Sequence, residues 1–191
     1  AEDPTNPYRY YTLGDQYKEI GQYGQSLQVY LDALHHGVKN GMVLTRLGNL
    51  YLNMGNKKEA TAYFQQAAQL GPHNDEAQCN LANAYMVDGQ GADAERIFRS
   101  VIATQPYAPA YNGLGILALK RHDLTDAQNY FERAVKLDPD YAEALFNLGL
   151  VCMQTKDIPC ARTAYREFLV KAPASYKNYM LQVKAQLASL R

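Results

Sequence analysis

Cysteine is scarce, charge is balanced and long apolar runs are missing, and each shortage removes a class of function. The 191 residues carry 19 Lys and Arg against 19 Asp and Glu, a formal net charge of zero, with no basic run. Nucleic-acid binding rests on a basic face that neutralises phosphates, so that class is set aside. No apolar stretch approaches the roughly 20 residues of a membrane helix, which excludes a direct membrane span. There is no Gly-rich phosphate loop, no pair of histidines spaced for a metal on one helix, and no nucleophile elbow. His35, His36, His73 and His122 fall near helix ends or turns, where solvated residues are the better account of them. Asp and Glu are scattered over turns and outer faces. No catalytic residue, cofactor or metal site is expected.

What the chain has is repetition. Similar segments begin near residues 7, 41, 75, 108 and 142, a spacing of 33 or 34. Each opens with an apolar-small pair on a first helix: Leu13-Gly14, Leu47-Gly48, Leu81-Ala82, Leu114-Gly115 and Leu148-Gly149. Each continues with a small residue, an aromatic and a third residue on a second helix. These sets are Ser26/Tyr30/Ala33, Ala60/Phe64/Ala67, Ala94/Phe98/Val101, Ala127/Phe131/Ala134 and Ala161/Tyr165/Phe168. Pro72, Pro106, Pro139 and Pro173 close four of the five, and Val38 stands in the first. A period of this size with this content marks a solenoid of helical pairs.

The pattern resembles the tetratricopeptide repeat family over residues 7–175. The resemblance implies an all-α fold, a right-handed superhelical solenoid of five helical hairpins plus a C-terminal capping helix. The repeats would span 7–40, 41–74, 75–107, 108–141 and 142–175. Residues 1–6 would form a flexible polar tail. From residue 176 to 191 a capping helix would present Tyr176, Tyr179, Met180, Val183, Leu187 and Leu190 on one face, covering the last hairpin's apolar flank. The small residue of the first helix is expected to face Ala on the second, letting the backbones approach. A larger side chain would overpack that contact, at roughly 1–3 kcal/mol. The aromatics are expected to fill the gap between successive hairpins. The prolines stop the second helices, because proline lacks the donor and disfavours helix just before it.

Cys152 and Cys160 flank Lys156 at four residues on either side. Positions equidistant from the turn of an antiparallel hairpin tend to lie opposite one another. A disulfide here would close a short loop, worth about 2.5 kcal/mol on chain-entropy arithmetic, and would imply an oxidising compartment. The alternative is two small buried thiols behaving as ordinary apolar residues. The pair lacks two further ligands in a plausible spacing for a metal.

In the tetratricopeptide family, function lies on the inner surface lined by the first helices. Carried over residue by residue, the groove would contain Tyr11, Asn49, Leu52, Asn83, Met86, Asn112, Ile116, Leu119, Phe146, Leu150 and Met153. Leu52, Met86, Leu119 and Met153 form an apolar row, widened by Ile116, Leu150 and Phe146. Asn49, Asn83 and Asn112 stand beside it as donors and acceptors for a peptide backbone. The expected partner is a protein or peptide with apolar anchors; the bland alternative is that neighbouring first helices already bury much of the row. Members that grip chaperone tails use a clamp of Lys, Asn, Asn, Lys and Arg. Aligned from the second repeat, those places hold Thr45, Asn49, Asn80, Pro109 and Gly113; every cation is missing, so a carboxylate-terminated tail is not the expected ligand.

A narrower resemblance is to tetratricopeptide lipoproteins that help secretin rings and pili assemble in the bacterial outer membrane. It rests on the repeat number, a cysteine in a late repeat, an Ala start followed by acidic residues that is compatible with a removed signal peptide, and the short capping helix. The lipid-bearing cysteine of such proteins is not in this sequence. The resemblance implies an exported, periplasmic or outer-membrane-associated assembly factor. Two alternatives stay open: a repeat module of a larger enzyme or regulator, and a cytoplasmic scaffold with reduced thiols.

Overall fold

The computed structural model describes residues 5–71 and 74–189. Outside them lie residues 1–4, Pro72, His73, Leu190 and Arg191, so the expectations for the polar tail, for Pro72 as a helix stop, for His73 at a turn and for Leu190 on the capping face fall outside the described residues. Among the described residues eleven α-helices follow in order: α1 (Pro7–Glu19), α2 (Tyr23–His35), α3 (Gly41–Asn53), α4 (Lys57–Leu70), α5 (Asp75–Val87), α6 (Gly91–Thr104), α7 (Ala108–Lys120), α8 (Leu124–Leu137), α9 (Ala142–Gln154), α10 (Ile158–Lys171) and α11 (Lys177–Ser189). A 3-10 turn, Ala174–Tyr176, precedes α11. Among the described residues there is no strand. The fold is all-α.

Local chemistry sets the helix ends. Asn40 and Asn74 accept hydrogen bonds from the backbone N–H groups of Val43 (3.0 Å) and Ala77 (3.1 Å), capping α3 and α5. Asn6 caps α1 through the Tyr8 N–H at 3.1 Å. Asp123 and Asp157 do the same for the second helices α8 and α10, accepting from Asp126 and Cys160. The prolines act from outside: α6, α8 and α10 stop at Thr104, Leu137 and Lys171, each two residues ahead of Pro106, Pro139 or Pro173. The turns inside the hairpins need one left-handed residue. Gly21 supplies it after α1, and His122 and Lys156 do so after α7 and α9, at φ 60 and 61°. That conformation is the structural role of His122, and it places Lys156 at the hairpin's pivot.

The helices form two compact units, Ala1–Ala94 and Glu95–Arg191. In the first, α1 packs on α2, α2 on α3, α3 on α4 and α4 on α5. Its core gathers Tyr10, Tyr30, Ala33, Val43, Leu47 and Leu50, all buried. In the second, α7 packs on α8, α8 on α9, α9 on α10 and α10 on α11. There Phe131, Val151, Cys152 and Ala161 form one buried cluster, and Leu145, Tyr165, Phe168 and Val183 another.

In four of the five hairpins the contact adds an element that the sequence reading lacks. Where the first helix carries that glycine, the atoms nearest its missing Cβ belong to the aromatic ring of the second helix. A Cβ added at Gly14, Gly48, Gly115 or Gly149 would stand 2.2–2.5 Å from a ring carbon of Tyr30, Phe64, Phe131 or Tyr165. The rings are fully buried and lie flat against the glycine backbone within their own hairpin, so they are not fillers between hairpins alone. The physical reason is size: the alanine contact needs only modest closeness, whereas an aromatic ring sits there only if the opposing position has no side chain. In the first hairpin Ser26 replaces the usual alanine, and its buried hydroxyl donates to the Gly14 carbonyl at 2.8 Å.

Candidate binding face

The first helices of each unit carry the side chains singled out from the sequence, and each unit holds its own set. In the first unit Tyr11 is buried, with its hydroxyl on the Asn40 side-chain amide at 2.8 Å and the Arg46 guanidinium 4.6 Å from its ring centroid. Arg46 in turn donates to Asp15 at 2.9 Å, and the Tyr30 hydroxyl donates to the same carboxylate at 2.8 Å. Burial works against ionisation of Asp15, but the Tyr30 hydroxyl, Arg46 and Lys18 outweigh it and hold the carboxyl below its ordinary range. Tyr11 is thus a structural residue whose polar edge is occupied. Cys79, on α5, is buried, and burial followed by the nearby Asp75 pushes its thiol up to about 12.

Further along, Asn80 donates to Asn49 at 3.4 Å, tying two first helices together through their amides. Leu52 remains 42% exposed. It shares a pocket of about 120 Å³ with Asn83, Ala84 and Val87, among other residues. Met86 is half-buried. Leu52 and Asn83 are brought together; Tyr11 is not part of that pocket.

In the second unit the same positions are more deeply packed. Asn112 is buried; it accepts from Asn147 at 2.9 Å and donates to the Tyr141 hydroxyl at 3.5 Å. Ile116, Leu119 and Met153 are half-buried against the cluster that contains Phe131, Leu148 and Val151. Leu150 is half-buried. Phe146 contributes one side to packing: its ring lies 5.5 Å from Phe168 and 5.0 Å from Tyr179, the latter edge-on. Its other side lines a pocket of about 280 Å³ together with Glu143, Asn147, Ser175, Tyr176 and Tyr179. The Tyr176 hydroxyl donates to Glu143 in a short hydrogen bond. Burial, then that bond and the carboxylate's charge, push the Tyr176 phenol well above its ordinary range.

Asn80, Asn147, Glu143, Tyr176 and Tyr179 were not among the expected groove residues. The amide pairs had a signal: Asn49 and Asn80, like Asn112 and Asn147, are about one repeat apart. The Glu143 to Tyr176 contact had none, since it depends on how the segment after Pro173 folds back on α9.

Tyr165 shows what happens when one member of such a network is missing. Its counterpart Tyr30 donates to Asp15, but the place of Asp15 is taken by Leu150 in the last hairpin. The buried Tyr165 hydroxyl accordingly has no hydrogen-bond partner, and burial raises its pKa to about 12. Cys152 and Cys160 come together on α9 and α10, with Cα atoms 5.8 Å apart and the sulfurs at bonding distance. That Cα separation is within the range a disulfide spans without backbone movement. Among the described residues, no group of three His, Cys, Asp or Glu could hold a metal ion, and no helix is long and apolar enough to cross a membrane.

The hairpins have counterparts in known proteins. PilW, a widely conserved type IV pilus biogenesis factor, superposes with a TM-score of 0.77 at 18% identity, over 100% of this chain and 87% of the other. TTC0263, a thermophilic tetratricopeptide protein of Thermus thermophilus, gives 0.76 at 19% identity, over 96% and 97%. At such identities the likeness is one of fold. In sequence, the human protein O-mannosyl-transferase TMTC3 is 26% identical over 91% of this chain and 20% of its own length. The chloroplastic tetratricopeptide repeat domain-containing protein PYG7 of Arabidopsis thaliana is 38% identical over 36% of this chain and 23% of its own. The chain therefore spans about a fifth to a quarter of the length of these curated relatives. Residues 51–115 and 112–176 each match the family described as Tetratricopeptide repeat, and together they run through about two thirds of the chain. With the hairpin contacts, the proline stops and the 33- or 34-residue period all in phase with those matches, the chain belongs to the tetratricopeptide repeat family.

Proposed function

We propose that this protein is a non-enzymatic scaffold that binds an apolar peptide segment on its first-helix faces, as an exported assembly factor. One observation carries the binding reading: Leu52, a large apolar side chain, stays substantially exposed at a small pocket it shares with Ala84, Val87 and Asn83. A leucine left in water beside an unfilled apolar hollow is an anchor site for a partner's side chain, with the Asn83 amide at hand for its backbone. The likeness in fold to PilW supports the assembly role, as does the pairing of Cys152 with Cys160.

Site-directed photocrosslinking tests where the partner sits. A benzophenone amino acid at position 52 or 150 should capture the same partner, whereas one at Thr163, exposed on the second helix α10, should not. Capture from position 163 alone would move the binding surface to the opposite side of the hairpins. Thiol counting tests the compartment. Protein purified from an oxidising compartment and denatured without reductant should titrate one thiol, that of Cys79; three thiols would end the disulfide and with it this argument for export.

A second reading has its own support. The match to the human O-mannosyl-transferase covers most of this chain and only a fifth of that protein, as a repeat module within a longer enzyme would. A catalytic domain encoded in frame beside these repeats would favour it over the exported factor.

A further inference from the structure

We infer that the pocket between α9 and the segment after Pro173 takes a cationic side chain, arginine or lysine, from the segment bound on the first-helix face. The inference rests on the peptide-binding reading, and it adds a charge requirement that an apolar row alone would not impose.

Three aromatic rings line this pocket. Phe146 and Tyr179 meet edge-on at 5.0 Å and 74°, and Tyr176 and Tyr179 stand 5.7 Å apart at 43°. The faces of such rings carry the negative end of the ring quadrupole, which attracts an ammonium or guanidinium seated over one of them. Tyr179 is 48% exposed, so the wall it forms is open to a ligand from solvent. Glu143 adds a full negative charge at the same place. Its Oε1 accepts from the Tyr176 hydroxyl, which holds the carboxylate against the pocket wall and leaves its other oxygen as an acceptor. Among the described residues no lysine or arginine pairs with it. Asn147 and Ser175 supply further polar lining for a forked donor.

Size narrows the ligand. About 280 Å³ lies below the roughly 300–1,000 Å³ of pockets that enclose a whole small molecule, and suits one long side chain entering from one end. Charge narrows it again. An acidic side chain would meet both the carboxylate and the π faces, and a plain aliphatic chain would offer no donor to the second oxygen of Glu143. Phe146 belongs to both the pocket and the expected groove, so a basic residue seated here would lie beside the partner's apolar anchors in the second unit.

The test needs no knowledge of the partner. N-acetyl-arginine methylamide is titrated into the folded protein and followed by amide chemical shifts, with N-acetyl-norleucine methylamide as the uncharged control. The arginine amide should give saturable shifts confined to Glu143, Asn147, Ser175, Tyr176 and Tyr179, and norleucine should not. Glu143→Gln keeps the shape and the acceptor for Tyr176 but removes the charge, and should weaken binding about tenfold or more. Tyr179→Leu, at a half-exposed position, should do the same by removing one wall. Equal binding of norleucine, unchanged affinity in either variant, or no saturable shift would overturn the inference. Because the probe is a single amino-acid amide, these results are separate from whether an apolar peptide binds the row at all.

Discussion

Replacing Gly149 by alanine should lower the thermal midpoint, although the same change in an exposed helix should raise it. Helix propensity alone predicts a gain of roughly 0.5–1 kcal/mol, because alanine loses less backbone freedom on folding. At Gly149 the added Cβ stands 2.2 and 2.3 Å from two ring carbons of Tyr165, well inside contact. Tyr165 is fully buried, and Phe146 lies 6.4 Å from it between ring centroids. The ring cannot swing away without disturbing the cluster of Leu145, Phe168 and Val183. Overpacking of this kind costs typically 1–3 kcal/mol, so it outweighs the propensity gain and fixes the sign. Leucine at the same position should cost more. Gly24 on α2 is the control: nothing stands within 4 Å of its added Cβ, and Gly24→Ala should be neutral or mildly stabilising. For a chain of this length each kcal/mol moves the midpoint by about 2–4 °C, which a melting curve resolves. Pairing Gly149→Ala with Tyr165→Leu should recover part of the loss. A midpoint for Gly149→Ala equal to or above the parent would mean that the ring yields freely and that the glycine is not there to admit it.

This contact also shows how far the sequence could be read. Gly14 and Tyr30, Gly48 and Phe64, Gly115 and Phe131, and Gly149 and Tyr165 are all sixteen residues apart, so the pairing was present as a constant offset. From sequence alone the alanines are the simpler partners, because small-against-small is the plainer way to bring two helices close. A ring laid flat on a bare backbone achieves the same closeness and buries more area, but it is recognisable only once the rotamer is known. The hairpin ends were more legible, since Pro106, Pro139 and Pro173 act through their own backbone and the residue just before them. The candidate site was less so. Which positions lie on the first helices follows from the period, but how deeply each is covered does not. Asn112 is buried through its bonds to Asn147 and Tyr141, and Phe146 is half-covered by α11, both consequences of neighbours a whole repeat away.

That uneven burial decides which substitutions probe binding cleanly. Leu119 and Met153 pack partly into the core of the second unit, so a charge there would weaken the fold as well as any groove. Leu52 is 42% exposed and Leu150 is half-buried, one in each unit, and these are the better positions. Leu52→Glu with Leu150→Glu should leave the helical content intact and the midpoint within a few degrees of the parent. Against a partner carrying apolar anchors the effect should be large. Each change forfeits the part of a leucine's full burial, about 1.5–3 kcal/mol, that the free protein leaves uncovered, and it obliges a carboxylate to shed water against an apolar surface, which costs more. At about 1.4 kcal/mol for each tenfold in affinity, the two together should weaken binding by at least about 100-fold. Apart from the one cation seated beside Glu143, the parent complex is held by apolar contact, so salt should weaken it only modestly, whereas a complex steered by many charges would weaken steeply. Titration of the photocrosslinked partner against parent and double variant, at low and at high salt, reads both. Unchanged affinity in a folded double variant would remove the first-helix faces as the binding surface and leave the exposed Leu52 as an ordinary surface leucine.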